Sequence, residues 1–477
     1  MRLSLLLLLL FFTLLCNFSF CDEEKGKGSG SEHIEILLRK LEIDDYVVRS
    51  ATLNRLFYSD DKRIPAAVEK VFKSTSDEDC RYWCACLLLK TGSEEAKKFL
   101  LKGLRSESER HRYHAIAAFG RAKEKSVLDE LKEAFKHDPV PQVKTVAAYA
   151  LANLQVEEGY QFLKEKVKDH SWLSQDMAAV LLGWLKRDDS KTLLEELFKS
   201  IPSTDVDRKG IKICAAWGLA HFGSEEAKLY LVEAGHDSLT AQVGICEVGE
   251  PMIEPLLKVL KENSSASARR NAATLLGILG NAEVIAPLAA ALKDPTYSVA
   301  TAAAIALGYT MHKNAVEPLA SLATNPEANT ILRHSAVKAL AILRLDSCIE
   351  PLTKLLDGSA CKKKDDKSQI SLRENAASAL AKIGSEDAVK PLCAVLSNKE
   401  TPLALRKSLC WTVAEYRISA AVPTLVEILK EEDPEIKKYA ASALRVLCGK
   451  DYGTDYEKWK SFLEDGSQKS LLPFIRK

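Results

Sequence analysis

Aromatic residues are scarce, at 7% of 477 residues, and excess charge of one sign is nearly absent: 67 Lys and Arg against 66 Asp and Glu leave a formal +1. The neutral balance excludes functions that rest on bulk attraction to nucleic acid or to an anionic membrane, and few aromatics means few surfaces on which bases stack. Glycine (22) and proline (16) are too sparse for a collagen-like or low-complexity chain. Beyond residue 21 no apolar run is long enough to span a bilayer. There is no CxxCH haem signature, no paired CxxC set, no Gly-x-Ser-x-Gly, no GxxxxGK[ST] and no GxGxxG after a strand. No cofactor or catalytic residue is therefore assigned. What is present is apolar material, 47% of the chain, enough for a large folded structure.

Residues 1–21 read as a signal peptide, with Arg2 as the positive start and Leu5 to Cys16 as the apolar run. An uncleaved membrane anchor and lipid attachment at Cys16 or Cys21 are the alternatives, and only these would tie the chain to a membrane. Bulky Leu15 and Phe20 before the two cysteines disfavour lipidation. Residues 22–32 form a polar linker. The expectation is an exported protein, periplasmic or extracellular. Ten cysteines remain after the leader, most of them in runs that read as helical core, such as Cys84-Ala-Cys86 and Leu409-Cys410-Trp411. Their reading is small buried hydrophobes, with Cys80 with Cys84, or Cys361, as the exceptions.

The chain repeats itself. Marks at Thr52, Cys84, Ala115, Ala147, Ala178, Ala215, Ala241, Ala272, Ala303, Ala336, Ala376, Leu409 and Ala440 are separated by 31 to 33 residues, apart from intervals of 37, 26 and 40. Four residues after every mark stands an apolar side chain, from Leu56 to Leu444. A small residue at i with a large apolar one at i+4 puts both on one helical face and lets a neighbouring helix come close. A second amphipathic helix precedes each mark, opened by Gly-Ser at Gly92, Gly223 and Gly384, with acidic residues following. Pro255, Pro287, Pro318, Pro351 and Pro391 enter this first helix in one register, read as first-turn positions. The unit is helix, turn, helix. One pair cannot bury its own apolar face, so thirteen pairs stack into an all-α solenoid without a sheet, read as a superhelical rod on the order of 130 Å along its path.

Gly249-Glu-Pro-Met-Ile-Glu-Pro-Leu, Arg270-Asn-Ala-Ala-Thr-Leu-Leu-Gly and Leu372-Arg-Glu-Asn-Ala-Ala-Ser-Ala-Leu resemble HEAT repeats of the short, bilin-lyase-like type. The resemblance runs over residues 33–448 and implies an armadillo-like α-solenoid that binds a protein or an extended peptide on its concave face. It also carries two alternatives, a lyase attaching a bilin to a protein cysteine and a membrane-anchored envelope scaffold. Fold likeness does not transfer activity. HEAT-repeat hydroxylases hold di-iron with His-Glu pairs, and none of the nine histidines here is followed by Glu. His111 and His114 have a spacing two metal ligands can share, but no third ligand is identifiable. The tail, residues 449–477, resembles the segment closing bacterial HEAT-repeat proteins, with Tyr452, Tyr456, Trp459 and Phe462 as a cap over the last repeat.

Three residues before the marks stand Arg49, Arg81, Arg112, Lys144, Lys212, Arg269, Arg333, Arg373, Arg406 and Lys437. With Asp45, Asp79, Glu109, Asp138, Asp207, Glu400 and Asp433 just upstream, they read as a structural ladder of acid–base pairs bracing turn against helix. A bend is expected at residues 200–250, where the 37- and 26-residue intervals meet. The 40-residue interval holds a polar insertion, residues 357–370, whose Lys362, Lys363 and Lys364 form a candidate partner-contact loop.

Overall fold

The computed structural model describes residues 30–43, 45–169, 172–362 and 367–464. The leader lies outside them, and the first helix begins at Gly30, within the stretch read as linker. The described residues contain 27 α-helices and no strand. They form thirteen successive pairs, from Gly30–Lys40 with Tyr46–Phe57 to Val422–Ile428 with Pro434–Cys448, followed by a last helix, Tyr456–Glu464. Every mark falls in the second helix of its pair, and each marked residue and its i+4 partner is buried.

The punctuation works as capping chemistry. Gly92 and Gly223 take left-handed φ values of 84° and 80° past one helix, and the Ser93 and Ser224 hydroxyls accept from the Ala96 and Ala227 N–H groups that open the next. Pro255, Pro287, Pro318 and Pro351 lie in first turns that follow short 3-10 turns. Pro391 does not. Its helix starts at Glu386 with no preceding 3-10 turn, which leaves the proline inside it.

The chain divides after Val284 into two arrays. Residues 200–250, where a bend is expected, lie wholly within the first. In each array the second helices pack on one another more closely than the first helices do, so each curves with its second helices inside. Small residues set the spacing. A Cβ added at Gly183 would lie 2.3 Å from the Gly218 Cα, and one at Gly120 would lie 2.6 Å from the Ala150 Cβ.

The rod expectation fails for the first array. Its eight pairs turn far enough for the beginning to meet the end: Tyr46–Phe57 packs on Leu239–Val248 and on Ala266–Leu279. The Lys40 amine, wholly buried, donates to the carbonyls of Ile278 (2.8 Å), Gly277 (3.3 Å) and Gly280 (3.5 Å) at a helix C-terminus, and burial, with Arg55 nearby, pushes its pKa well below the usual lysine range. Arg55 donates to Leu279 O at 2.9 Å and pairs with Glu250. The physical reason is curvature. Rotation between neighbours, small for one pair, accumulates to a closed turn when inner helices touch through glycine and alanine.

Asp176, on Trp172–Leu185, is buried, and burial pushes its carboxyl up from 3.8 to about 7. Between those values the folded chain holds a proton that the unfolded chain releases, so stability falls as pH rises from about 4 to 7. Above 7 the penalty is complete, on the order of 4 kcal/mol at 1.36 kcal/mol per unit. Asp176→Asn should therefore raise Tm at pH 8 and leave it nearly unchanged at pH 4. Equal Tm gains at both pH values would refute the titration account.

In the second array, Tyr456–Glu464 packs on Val422–Ile428. Trp459 is fully buried, donates to Gly453 O at 2.9 Å, and meets Tyr452 and Phe462 edge-on at centroid distances of 4.9 and 5.9 Å. Lys430 lies over the Tyr456 ring at 4.5 Å.

Candidate functional site

The ladder cations face the carbonyl ends of preceding helices. Arg333, 1% exposed, donates to Ala323 O (2.8 Å), Ala360 O (2.7 Å) and Gln369 Oε1 (3.2 Å). Arg373 reaches Leu356 O and Arg406 reaches Leu396 O, both at 2.9 Å; Lys144 reaches Lys136 O, Lys212 reaches Ile201 O, Arg269 reaches Asn263 O, and Arg49 reaches Ile43 O. Arg81 instead lies over the Phe72 and Phe99 rings, and Lys437 is half-buried in the first turn of Pro434–Cys448.

Carboxylate pairs occur, but across repeats: Arg112 with Asp138 at 2.7 Å, and Arg406 with Glu431. The upstream acids have other work. Asp45 and Asp433 accept from backbone N–H groups at helix starts, and Asp79 meets Arg110 and His114. An acid at an N-cap satisfies an amide with no helical partner, which leaves the cation to cap the carbonyls of the helix before it.

His111 lies 3.0 Å from Glu78, and His114 lies 3.3 Å from Asp79. Among the described residues no three His, Cys, Asp or Glu side chains cluster as a metal site requires. None of the ten described cysteines forms a disulfide; seven are buried, and Cys361, Cys393 and Cys448 are half-buried. Lys362 pairs with Glu327 at 2.7 Å, while Lys363 and Lys364 lie outside the described residues.

The inner surface of the first array was not read from the sequence. Six residues past the first seven marks stand Tyr58, Lys90, Arg121, Asn153, Trp184, His221 and Glu247. Closure brings them together. Glu247 Oε2 accepts from Trp217 Nε1–H and from Trp184 Nε1–H (3.3 Å) and meets His221 Nε2 at 2.8 Å. Its other oxygen, Oε1, is buried without a hydrogen bond. Asn54, two past the first mark, donates to Glu247 O at 3.3 Å and accepts from the Arg121 guanidinium at 2.6 Å. Arg121 lies over the Phe57 ring at 4.0 Å and donates to the Tyr58 hydroxyl at 3.2 Å. Burial pushes the Tyr58 phenol up, against the pull of Arg121. Trp184 crosses Tyr149 edge-on at 5.6 Å. A buried polar network with two indoles and a carboxylate thus lies at the centre of the turn.

At the C-terminal ends of the inner helices this centre opens into a pocket of about 230 Å³, lined by Tyr58, Lys90, Arg121, Lys123, Tyr149 and Trp184 among others.

The same register in the second array reaches solvent. Two past the marks stand Ile305, Lys338, Ser378, Trp411 and Ser442; six past stand Tyr309, Ile342, Lys382, Glu415 and Val446. None of these ten is buried. Trp411 is 69% exposed, and on the adjoining inner helix Tyr439 and Val446 are 45% and 55% exposed. An inner face of aromatic and aliphatic side chains interleaved with Lys338, Lys382 and Glu415 is able to take up a chain with both apolar and charged groups.

A family profile for HEAT repeats matches residues 64–152, 253–341, 286–363 and 363–445, together more than half of the chain. The chain belongs to the HEAT-repeat family. Over 271 residues this HEAT-repeat protein is 26% identical to the deoxyhypusine hydroxylase of Candida albicans, covering 54% of this chain and 83% of that one. Among solved structures it is similar to Kap121p bound to Ste12p (14% identity, 98% of this chain and 58% of that one, TM-score 0.39). It is also similar to importin beta (14% identity, 97% and 75%, TM-score 0.39) and to human deoxyhypusine hydroxylase (18%, 54% and 96%, TM-score 0.25). Among the described residues no helix is long and apolar enough to cross a membrane.

Proposed function

We propose that this HEAT-repeat protein is an exported scaffold that holds a protein partner, in extended form, along the inner face of residues 285–464. The observation that carries the reading is Trp411. An indole 69% exposed on an inner helix gains by being covered, and tryptophan is enriched where interfaces concentrate their energy. Export rests on Arg2 and the Leu5 to Cys16 run, and the neutral charge balance favours a protein over nucleic acid.

A photo-crosslinking residue at position 411, with one at exposed Leu229 as control, should capture a discrete partner from the envelope fraction only at 411. Against that partner, Trp411→Ala should weaken binding tenfold or more, about 1.4 kcal/mol, with Tm unchanged. Equal capture at both positions, or unaltered affinity, would remove the reading. Intact mass of the fractionated protein tests export: loss of about 21 residues supports it, and full-length mass in the cytoplasm counts against it.

The likeness to the Candida albicans deoxyhypusine hydroxylase favours a second reading, an enzyme. Against it, none of the nine histidines is directly followed by glutamate. Iron content after expression with added iron separates the two, since stoichiometric bound iron would put the enzyme first.

A further inference from the structure

We infer that the pocket at the centre of the first array is a binding site for a small aryl carboxylate, a flat apolar ring bearing one anionic group. Its walls supply both halves of that chemistry. Tyr58, Tyr149 and Trp184 offer ring faces and edges, while Lys90, Arg121 and Lys123 bring three cations to the same opening, and no described carboxylate lines it. At about 230 Å³ it is smaller than the roughly 300–1,000 Å³ that drug-sized ligands occupy, which limits the occupant to about one ring system.

The opposite charge is the rival occupant, because helix C-termini present carbonyls that attract cations. Here the chain already answers those groups. Lys90 donates to Phe57 O at 2.9 Å, Asn153 donates to Gly120 O at 2.9 Å, and the Arg121 guanidinium covers the Phe57 and Tyr58 rings at 4.0 and 5.4 Å. An incoming cation would meet three positive charges. Two carboxylates stand nearby but outside the lining: exposed Asp60, 3.3 Å from Lys90, and buried Glu247, 3.3 Å from Trp184 Nε1.

Lys123 follows its helix with φ 54°, in the left-handed turn that Gly92 and Gly223 make in other repeats and that Gln155, Lys186, Met311, Arg344 and Arg417 also adopt. A lysine there is strained where glycine is not. The turn sets a cation at the mouth of the pocket.

One ligand chemistry has two sources here, a free aryl acid or the C-terminal aromatic residue of a peptide. Calorimetric titration of the full-length protein with 4-hydroxybenzoate and N-acetylphenylalanine, against benzamide and benzylamine as neutral and cationic controls, tests the site. At least one carboxylate should bind, ten times or more tighter than either control. The tighter of the two assigns the source. Lys123→Gly should raise Tm and weaken binding threefold or more, and Lys90→Met should weaken it without raising Tm. Binding of benzamide or benzylamine as tight as that of the acids would overturn the assignment. So would an absence of binding at millimolar concentrations, or parental affinity in both variants.

Discussion

Glu247→Ala should destabilise the first array by about 3–5 kcal/mol, the range found when one partner of a buried charged network is deleted. The carboxylate is the shared acceptor of the Trp184 and Trp217 indoles and lies 2.8 Å from His221 Nε2. Its removal leaves two buried N–H donors without an acceptor, each costing about 1–3 kcal/mol, and opens a cavity between the rings. Glu247→Gln should recover most of the loss, because an amide oxygen accepts from both indoles. Denaturant unfolding followed by near-ultraviolet circular dichroism reports on the same tryptophans. An alanine variant within about 0.5 kcal/mol of the parent would show that the network contributes nothing, against the usual range for mutations at such sites.

Gly218→Val should cost about 3 kcal/mol or more, by the mechanism of overpacking. At this crossing a Cβ on Gly218 would lie 2.7 Å from Ala179 O and one on Gly183 would lie 2.3 Å from the Gly218 Cα. A Cβ 2.7 Å from a backbone oxygen is too close to stand, and valine adds two methyl groups beyond it, so the two inner helices must move apart. In an open stack that displacement dissipates outward. In a closed turn it is passed to the seam, where Lys40 holds Ile278 O at 2.8 Å. Valine should therefore also raise the protease sensitivity of residues 30–57. Gly210, with nothing within 4 Å of an added Cβ, is the internal control, and Gly210→Ala should be neutral or stabilising. Matching losses at 210 and 218 would refute the packing argument.

Thirteen pairs were legible because one small residue and one apolar residue four positions on recur at nearly constant spacing, and both are buried wherever the turn leads. Closure was not legible. It depends on the sum of rotations between neighbours, and no single repeat records it. The same reason hid the central network. Read alone, Lys90, Asn153 and Glu247 are polar residues late in a helix, the usual sign of a solvated face; Glu247 also stands beside Gly244 and Gly249, in a segment read as a bend. Comparison of the position six past each mark would have found them, since Tyr58, Arg121, Trp184, His221 and Glu247 form a series unlike the apolar position four past. The ladder positions were visible, but their targets were not: a backbone carbonyl leaves no letter in a sequence, whereas a nearby aspartate does.

The seam ties Lys40 to Gly277 and Gly280 across some 237 to 240 residues. Open tandem arrays tolerate the duplication or loss of a unit, because each unit touches only its neighbours. Here copy number is part of the fold. One unit more or fewer before residue 277 would leave Lys40 facing the wrong carbonyls, so this stretch is expected to drift by substitution at constant length.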